Sequence, residues 1–480
     1  MSDLRQDRPG GEDRKFTGHC RGGRFPAERW QSNQAQVNQL LITPFAQPAS
    51  GSICPPGSKS ITNRALVCAA LAQGGSRLVG ALDSDDTRVM IEALRALGID
   101  VRVDLAKRTI VVTGCGGNIP AKSAALFVGN SGTTARFLTP LLALGNGTYR
   151  LDGTPRMRER PIQDLLDALA LLGVRVASTA GTGCPPLVVH AQRLPGGQVA
   201  MRGDVSSQFL SGLLLAAPYA NAPLQIAIEG ELVSKPYVRM TLAVMRAFGV
   251  DVPADQLSSF RIPAPLHYAG RSYAIEPDAS AASYFWAAAA ITGGCVTVEG
   301  LDRSSLQGDV AFCDCLARMG CEVRYSDTGP GLLETRSRSS ERRGHVLAGT
   351  TVLGRALRGI DVDMNAISDT VQTLAAVALF AEGETTIRGV GHIRHKETDR
   401  IGALATELRK LGAVVEERPD GLRIIPGTLR PATINTYNDH RMAMSLSLVG
   451  LRQQGIVIND PACTSKTYPK FFSDLEYLRV

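Results

Sequence analysis

Six short polar clusters recur along the chain, and their residue types suit anion binding and proton transfer. They read PGSKSITNR, GNSGTTAR, GDVSSQ, PDASAAS, ISDTVQ and YNDHR, and an apolar segment follows each one. Their Ser, Asn and Asp residues are typical helix N-caps. Lys59, Arg64, Arg136 and Arg441 are not, because the positive end of the helix dipole disfavours cations. The clusters therefore predict a cleft where several helix starts bind anions. A purely structural array of six capped helices is the alternative.

The clusters repeat with one period along the chain. Aligned at Lys59, Asn130, Ser206, Asp278, Asp369 and Asp439, they lie 71, 76, 72, 91 and 70 residues apart. A second series of amphipathic helices ends at glycines suited to the left-handed C-cap, and a β-branched segment follows each. These glycines are Gly98, Gly173, Gly249, Gly320 and Gly412. The two interleaved series predict six α/β units, each with a buried and a more exposed helix on a sheet.

Composition excludes several classes of function. The 480 residues are 44% hydrophobic and 20% charged, which is typical of globular proteins. The net charge of +7 comes from dispersed basic residues with only 5% aromatics, which disfavours nucleic-acid binding. The ten cysteines form no CxxC pair, which favours reduced thiols, a cytoplasmic location and no metal site. The longest apolar runs, of about eight residues, are too short to span a membrane. We expect residues 1–39 to be a disordered extension.

Eleven motifs in order resemble the EPSP synthase family, the 3-phosphoshikimate 1-carboxyvinyltransferases. The resemblance runs from about residue 40 to residue 480. The motifs are PGSKSITNRAL, LDSDDTR, LFVGNSGTTARFL, GTPRMRERPI, GDVSSQFLSGLL, LVSKPYVRMTL, EPDASAASYF, DMNAISDTVQ, RHKETDRI, TYNDHRMAMSLSLVG and DPACTSKTYPKFF.

The resemblance implies a fold and a reaction. The fold is a two-domain inside-out α/β barrel with three βαβαββ units in each domain. One domain combines residues 40–57 with 276–480, and the other covers 58–275. The reaction transfers the enolpyruvyl group of phosphoenolpyruvate to the 5-hydroxyl of shikimate 3-phosphate by addition and elimination through a tetrahedral intermediate. Such an enzyme is a monomer without a metal or other cofactor, and its partners are two anionic small molecules.

The resemblance also implies roles for individual residues. Those implied to bind shikimate 3-phosphate are Lys59, Ser60, Arg64, Ser206, Ser207, Gln208, Ser234, Tyr237, Asp369, His392 and Lys396. Those implied to bind phosphoenolpyruvate are Lys59, Asn130, Gly132, Arg156, Gln208, Arg400, Arg441 and Lys466. The implied acid/base groups are Asp369, Glu397, Lys59 and His440, with their division between the two half-reactions left open.

Two of these carboxylates have structural alternatives, and two positions depart from the family pattern. Asp369 could be a helix cap, and Glu397 could form an ordinary ion pair with Arg400 three residues later. His392 stands where the family often has Asn, and Phe137 stands where a proline is frequent.

Two rival functions remain open. The sister carboxyvinyltransferase that acts on UDP-N-acetylglucosamine shares the fold and chemistry, and typically uses a cysteine on a mobile loop. Cys115 lies in a Gly-rich turn, but its flanking sequence does not resemble that loop, and a small buried side chain is the favoured interpretation. The other rival is a non-catalytic repeat protein that binds anions.

Overall fold

The computed structural model describes residues 38–254, 256–326 and 349–479, so nearly all of the expected extension 1–39 lies outside the described residues. In the described part of the chain the α-helices are α1 (Lys59–Leu71), α2 (Asp85–Ala96), α3 (Gly132–Ala143), α4 (Gln163–Leu171), α5 (Ser207–Ala216), α6 (Lys235–Ala247), α7 (Ala279–Thr292), α8 (Phe312–Arg318), α9 (Val371–Ala378), α10 (Arg400–Lys410), α11 (His440–Ser447) and α12 (Phe471–Glu476).

The strands of the same residues are β1 (Gln39–Ile42), β2 (Ser50–Ile53), β3 (Gly75–Val79), β4 (Asp100–Asp104), β5 (Thr109–Thr113), β6 (Ser123–Phe127), β7 (Asn146–Asp152), β8 (Arg175–Ser178), β9 (Leu187–Gln192), β10 (Gly197–Arg202), β11 (Leu224–Glu229), β12 (Ser259–Ile262), β13 (Ser272–Ala274), β14 (Cys295–Glu299), β15 (Glu322–Ser326), β16 (Gly349–Leu353), β17 (Asp361–Asp363), β18 (Thr385–Arg388), β19 (Val414–Arg418), β20 (Gly421–Ile425), β21 (Ala432–Ile434) and β22 (Ile456–Asn459). Short 3₁₀ turns at Met157–Glu159, Ala217–Tyr219, Gly308–Ala311, Asn365–Thr370, Gly391–His395, Leu448–Leu451 and Pro461–Lys466 complete the elements.

The strands of the described residues form six sheets. Four have four strands, in the orders β13-β3-β5-β4, β6-β7-β9-β8, β15-β16-β14-β2 and β17-β18-β20-β19. Each of these contains one parallel pair followed by antiparallel neighbours, as the repeated βαβαββ unit requires. The sheets β10-β11-β12 and β1-β22-β21 have three strands. In the sheet β10-β11-β12, the segment between α6 and β12 contains Pro253. A proline has no backbone N–H and cannot donate a hydrogen bond to a neighbouring strand.

Two strands are exchanged between neighbouring parts of the chain. Strand β2 immediately precedes α1 but pairs with β14, and strand β13 immediately precedes α7 but pairs with β3. The chain therefore crosses twice between two groups of three sheets, at residues 54–58 and 275–278. A backbone hydrogen bond from Ser58 to Glu276 (2.8 Å) joins the two crossings.

Two hydrophobic cores correspond to these two groups. Core I contains buried side chains from residues 61–275, and core II contains those from residues 42–53 and 279–478. The helices α1, α3 and α5 contact one another inside core I, and α9 contacts both α7 and α11 in core II. Almost all of their residues are buried, so these helices lie inside and the sheets flank them.

The predicted capping glycines end the amphipathic helices as expected. Gly98, Gly173, Gly249, Gly320 and Gly412 all have φ between 84° and 115°, a conformation that favours glycine. Among the described residues, no helix is long and apolar enough to cross a membrane.

Candidate active site

A cleft lies between the two cores, and its volume, including the part that is open to solvent, is about 910 Å³. The starts of α1, α3 and α5 form its core I wall, because Ser58, Ser131 and Ser206 cap these helices and turn the chain there. The core II wall comes from the 3₁₀ turns before α9 and α10 and from the start of α11.

The cleft has an excess of positive charge. Seven cations and three carboxylates of the described residues line it, so its electrostatic potential favours anions. The cations are Lys59, Arg64, Arg136, Arg160, Lys396, Arg400 and Arg441, and the carboxylates are Asp86, Asp369 and Glu397.

Asp369 is held by three cations on the core II side. Its Oδ1 accepts from Lys396 Nζ (2.5 Å) and Arg400 (3.3 Å), and its Oδ2 accepts from Arg441 (2.8 Å). Burial opposes ionisation of this carboxyl, but Arg441, Lys396 and Arg400 outweigh it and hold its pKa well below the usual value. Asp369 makes no helix-capping hydrogen bond, since the side chain points into the cation cluster. The capping alternative is therefore wrong.

Glu397 forms the expected ion pair with Arg400, and it also lines the cleft. The Arg400 guanidinium donates to Glu397 Oε2 (2.8 Å) and to both oxygens of the fully buried Asp439 (2.7 and 3.3 Å). Lys466 Nζ lies 3.8 Å from Glu397 Oε1. Burial opposes ionisation, but Arg400, Arg160 and Lys466 hold the pKa of Glu397 well below its usual value. The ion-pair and active-site interpretations are thus compatible.

Two lysines from opposite cores share one carboxylate at the floor of the cleft. Asp86 of α2 lies 3.4 Å from Lys59 Nζ through its Oδ2, and its Oδ1 accepts from Lys466 Nζ (2.6 Å). The same Lys466 ammonium donates to the backbone carbonyl of Asn130 (2.8 Å). Asp86, Lys59 and Lys466 are each at least nine-tenths buried.

Arg136 and Arg160 are buried guanidiniums without an ion-pair partner among the described residues. Arg136 donates to the Pro161 carbonyl (2.7 Å), and Arg160 donates to the carbonyl and side-chain oxygens of Asn130 (3.0 and 3.2 Å). Burial, and then repulsion from Arg160, lowers the pKa of Arg136 to about 9. Gly132 permits this arrangement, because a Cβ at that position would lie 2.4 Å from the Arg160 guanidinium.

Ser234 and Tyr237, at the start of α6, connect core I to core II. The Ser234 amide donates to the Asn365 side chain (2.9 Å), and its hydroxyl lies 3.3 Å from His392 Nε2. The Tyr237 hydroxyl lies 3.2 Å from Asp369 Oδ2. Burial, and then the Lys396 charge, lowers the pKa of His392 to about 3, so this imidazole is neutral.

Arg64 and Phe137 form a stacked pair at the base of the core I wall. The fully buried Phe137 ring lies 5.1 Å from the Arg64 guanidinium carbon. Arg64 donates to the Thr241 hydroxyl (2.8 Å) and to the carbonyls of Ser60 and Tyr237 (2.9 and 3.1 Å). The guanidinium is thereby fixed within a cation–π contact.

The cleft brings together most of the residues that the sequence predicts. Its lining includes Lys59, Ser60, Arg64, Gly132, Ser206, Ser207, Gln208, Ser234, Tyr237, Asp369, His392, Lys396, Glu397, Arg400 and Arg441.

Four predicted residues lie outside the lining of this cleft. Arg156 is partly exposed and donates to the backbone carbonyls of Glu397 and Lys396 (3.1 and 3.0 Å). Asn130 and Lys466 line a smaller adjoining cavity. His440 is fully buried, and its ring nitrogens have no hydrogen-bond partner among the described residues. Burial, and then Arg441, holds the His440 pKa well below the usual value, so the structure favours a neutral packing role for this ring.

Comparison with known proteins identifies the family. The family model of EPSP synthase, 3-phosphoshikimate 1-carboxyvinyltransferase, matches residues 45–475. The chain belongs to the EPSP synthase family. Curated 3-phosphoshikimate 1-carboxyvinyltransferases from Nostoc punctiforme and Thiobacillus denitrificans are 48% and 49% identical, each over 91% of this chain and 98% of its own length.

Solved structures confirm the predicted fold. The EPSP synthase of Acinetobacter baumannii matches with a TM-score of 0.75 and 26% identity, over 92% of this chain and 98% of its own. The enolpyruvyl transferase NikO of Streptomyces tendae matches in fold, with a TM-score of 0.68 and 23% identity over 92% and 97% of the two chains. The sequence-based prediction of the EPSP synthase family and of its inside-out α/β fold is therefore confirmed.

Sequence reasoning missed several residues of this EPSP synthase cleft. Asp86 and Arg160 lie in the motifs LDSDDTR and GTPRMRERPI, but the motifs alone give neither residue a role. The sequence pattern identifies Arg136 only as a cation at a helix start. His395 gives no signal in the sequence, because its position depends on how the two cores meet.

Cys115 does not line the cleft. It is half-buried against core I, and burial raises the pKa of its thiol. Among residues 38–254, 256–326 and 349–479, no group of three or more His, Cys, Asp or Glu side chains could hold a metal ion.

Proposed function

We propose that the cleft between the cores catalyses the reaction of the EPSP synthase family. That reaction transfers the enolpyruvyl group of phosphoenolpyruvate to the 5-hydroxyl of shikimate 3-phosphate and releases phosphate. The observation that carries the proposal is the convergence of Lys59, Asp369, Glu397 and Arg400 in one positively charged cleft. Two anionic substrates need such a cleft to approach each other, and the reaction needs acid/base groups beside them.

Shikimate 3-phosphate would bind mainly to core I. Ser206, Ser207 and Gln208 present hydroxyl and amide groups at the start of α5, where backbone N–H groups favour a phosphate. Arg64 supplies a fixed positive charge behind them. On the core II side Lys396 and the neutral His392 would meet the sugar hydroxyls, with His392 serving in place of the amide that the family often has.

Phosphoenolpyruvate would bind between the Arg160–Arg136 pair and the core II cations Arg400 and Arg441. A planar guanidinium can grip a carboxylate or phosphate with two hydrogen bonds. Among the described residues these two core I guanidiniums donate to carbonyl groups but have no carboxylate partner, and Arg160 Nε has no hydrogen-bond partner, so an anion would complete their environment. Arg156 and Lys466 would act by joining the cores around this substrate, since they bond to core residues rather than to the cleft space.

Asp369 is suited to accept the proton of the 5-hydroxyl, and Glu397 is suited to act beside the enol carbon. The surrounding cations keep both carboxylates ionised, so they enter the reaction as bases. The proton that C3 of phosphoenolpyruvate takes up in the addition step would come from the Lys59 ammonium, which lines the same cleft. Lys59 bears a positive charge close to both substrates and would stabilise the departing phosphate. His440 takes no step in this scheme, because it does not line the cleft and because burial, and then Arg441, holds its pKa well below the usual value.

The two cores would be two domains, one formed by residues 58–275 and the other by residues 40–57 with 276–480. The crossings at 54–58 and 275–278 would be the hinge. Cross-core hydrogen bonds from Arg156, Ser234 and Lys466 correspond to a closed arrangement. We expect the enzyme to act as a monomer, as the family resemblance implies. We expect a cytoplasmic location because the ten cysteines form no CxxC pair, which favours reduced thiols.

Phosphate release tests the proposal directly. Purified protein is mixed with phosphoenolpyruvate and shikimate 3-phosphate, with a metal chelator present throughout. UDP-N-acetylglucosamine replaces shikimate 3-phosphate in a parallel assay. We expect release only with shikimate 3-phosphate, and a loss of about 10²-fold or more in kcat for Asp369→Asn and Glu397→Gln.

A matched control separates catalysis from general charge effects. Asp314→Asn removes an exposed carboxylate on α8 that lies outside the cleft, and we expect it to leave kcat unchanged. Release with UDP-N-acetylglucosamine alone would indicate the sister enzyme. Anion binding without release by the folded protein would indicate a non-catalytic role.

A further inference from the structure

A buried carboxylate, Asp309, lies behind the catalytic groups and has no role in the proposed mechanism. It belongs to the 3₁₀ turn Gly308–Ala311 and is 3% exposed. Its Oδ2 accepts from the hydroxyls of Ser280 and Tyr237, the latter at 3.1 Å. Its Oδ1 has no hydrogen-bond partner among the described residues. Such an oxygen is costly to bury unless it is protonated for part of the time.

The Tyr237 hydroxyl lies between Asp309 and Asp369. It is 3.1 Å from Asp309 Oδ2 and 3.2 Å from Asp369 Oδ2. A phenol carries one hydrogen and can donate to only one carboxylate at a time. If the phenol donates to one of the two aspartates, its contact with the other is favourable only when that other aspartate is protonated and donates to the phenol oxygen. The two aspartates and the phenol together can therefore hold one proton in addition to the phenol hydrogen.

The two carboxylates at the ends of this path have opposite environments. Lys396, Arg400 and Arg441 contact Asp369, whereas Asp309 forms no salt bridge among the described residues. Burial, and then repulsion by Asp369, raises the pKa of Asp309 to about 6. The pKa of Asp369 is held well below normal. A proton that reaches Asp369 is thus more stable after it has moved to Asp309.

We propose that Asp309 is a positioning residue that acts through Tyr237. It receives, by way of the Tyr237 hydroxyl, the proton that leaves the 5-hydroxyl of the substrate. The O–H bond of the hydroxyl breaks as Asp369 takes the proton. Asp369 then donates it to the Tyr237 oxygen, while the original Tyr237 hydrogen moves to Asp309 Oδ2. The relay thus restores the negative charge of Asp369. In the elimination half-reaction the C3 proton returns to the group that supplied it and the C–O bond to phosphate breaks. The path then runs backwards, and the relayed proton leaves on the phosphate product.

The pH dependence of kcat tests the relay, which rests on the proposed function. Asp309 must be ionised to accept the proton, so kcat of the wild type should rise with pH through a limb near pH 6. The Ser280 hydroxyl stabilises ionised Asp309, so Ser280→Ala should move this limb to higher pH. The other groups that face Asp309 are Asp278, Asp369, Tyr237 and Arg441, and Ser280→Ala leaves all of them in place.

Two further variants test the same path. Asp309→Asn should lose the limb near pH 6 and lower kcat by about 10-fold or more, with the KM for phosphoenolpyruvate within about twofold of wild type. Adding Asp309→Asn to Tyr237→Phe should cause no further loss of kcat, since both break one path. Asp314→Asn should keep the wild-type profile.

The outcomes separate the relay from the proposed function. A wild type that releases no phosphate would contradict the function itself. An active wild type whose limb is unmoved by Ser280→Ala would overturn the relay, even where Asp309→Asn does not fold. Multiplicative losses in the Tyr237→Phe and Asp309→Asn double variant would overturn it as well, because they would indicate two independent structural effects.

Discussion

The Lys466 ammonium lies 2.6 Å from Asp86 Oδ1, although 380 residues separate the two in the chain. Asp86 belongs to α2 of core I, and Lys466 belongs to the 3₁₀ turn Pro461–Lys466 of core II. Asp86 Oδ2 also lies 3.4 Å from Lys59. One carboxylate thus joins the two cores and holds a proposed catalytic lysine at the same point.

Asp86→Asn should therefore impair substrate binding and turnover together. The variant removes the charge that attracts both lysines, so closure becomes less favourable and the Lys59 ammonium less well placed. We expect kcat/KM for phosphoenolpyruvate to fall by about 10-fold to 100-fold, which corresponds to loss of a buried charge pair. Steady-state kinetics measures this. Glu92→Gln, which removes an exposed carboxylate from the same helix, is the control and should retain wild-type values.

Lys59→Met should abolish turnover while the protein stays folded. Lys59 is 9% exposed, more buried than a typical surface lysine, but its loss leaves Asp86 paired with Lys466. We expect a loss of about 10²-fold or more in kcat, as for removal of a group that stabilises developing charge, and a small change in thermal midpoint. The control is Lys107→Met, an exposed lysine paired with Asp104. Near-normal turnover in Lys59→Met would contradict the assignment of this residue.

The repeat in the sequence predicted the fold because each unit encodes its own elements. A glycine such as Gly98 ends an amphipathic helix for a local reason, and the family resemblance supplied how the units assemble. The number of strands was less predictable. Strand β12 completes a three-stranded sheet after a segment that contains Pro253, and the sheet β1-β22-β21 also has three strands. In the described part of the chain, two units therefore lack a strand that the βαβαββ pattern expects.

The candidate site was predicted best where the residues belong to helix starts. Ser206 and Arg441 occupy such starts and line the cleft. Asp86 and Arg160 could not be assigned from spacing, because their roles arise from contacts between distant segments. His440 shows the opposite case. It stands next to Arg441 in a motif that resembles the family, but its ring is fully buried and does not line the cleft.

Gly132→Ala should weaken phosphoenolpyruvate binding selectively. The added Cβ would lie 2.4 Å from the Arg160 guanidinium, which is buried and already bonded to Asn130, so the guanidinium must shift. We expect the KM for phosphoenolpyruvate to rise by about 10-fold, a loss of roughly 1.4 kcal/mol, and the KM for shikimate 3-phosphate to stay within about twofold. Kinetics with each substrate varied in turn decides this. Equal changes in both values would show that Arg160 does not belong to the phosphoenolpyruvate side.

His392→Asn should change the pH dependence of stability. The folded-state pKa of His392 is lowered to about 3 from the ordinary 6.5, so the unfolded chain binds a proton below pH 6.5 that the folded chain does not. The free energy of unfolding therefore falls as the pH drops below 6.5, by at most about 1.4 kcal/mol per pH unit from this group. Solvent screening of the half-buried ring reduces the effect.

Urea unfolding of wild type and His392→Asn between pH 5 and 7 measures this contribution. The variant should show a shallower loss of stability on acidification, because Asn takes up no proton on unfolding. Asp309 contributes with the opposite sign, since its raised pKa makes the folded state bind the proton more tightly below about pH 6. That contribution is common to both proteins and cancels in their difference. Identical slopes would mean that His392 is as protonated in the folded state as in the unfolded state. In that case the imidazole would be a cation facing shikimate 3-phosphate rather than a neutral hydrogen-bonding group.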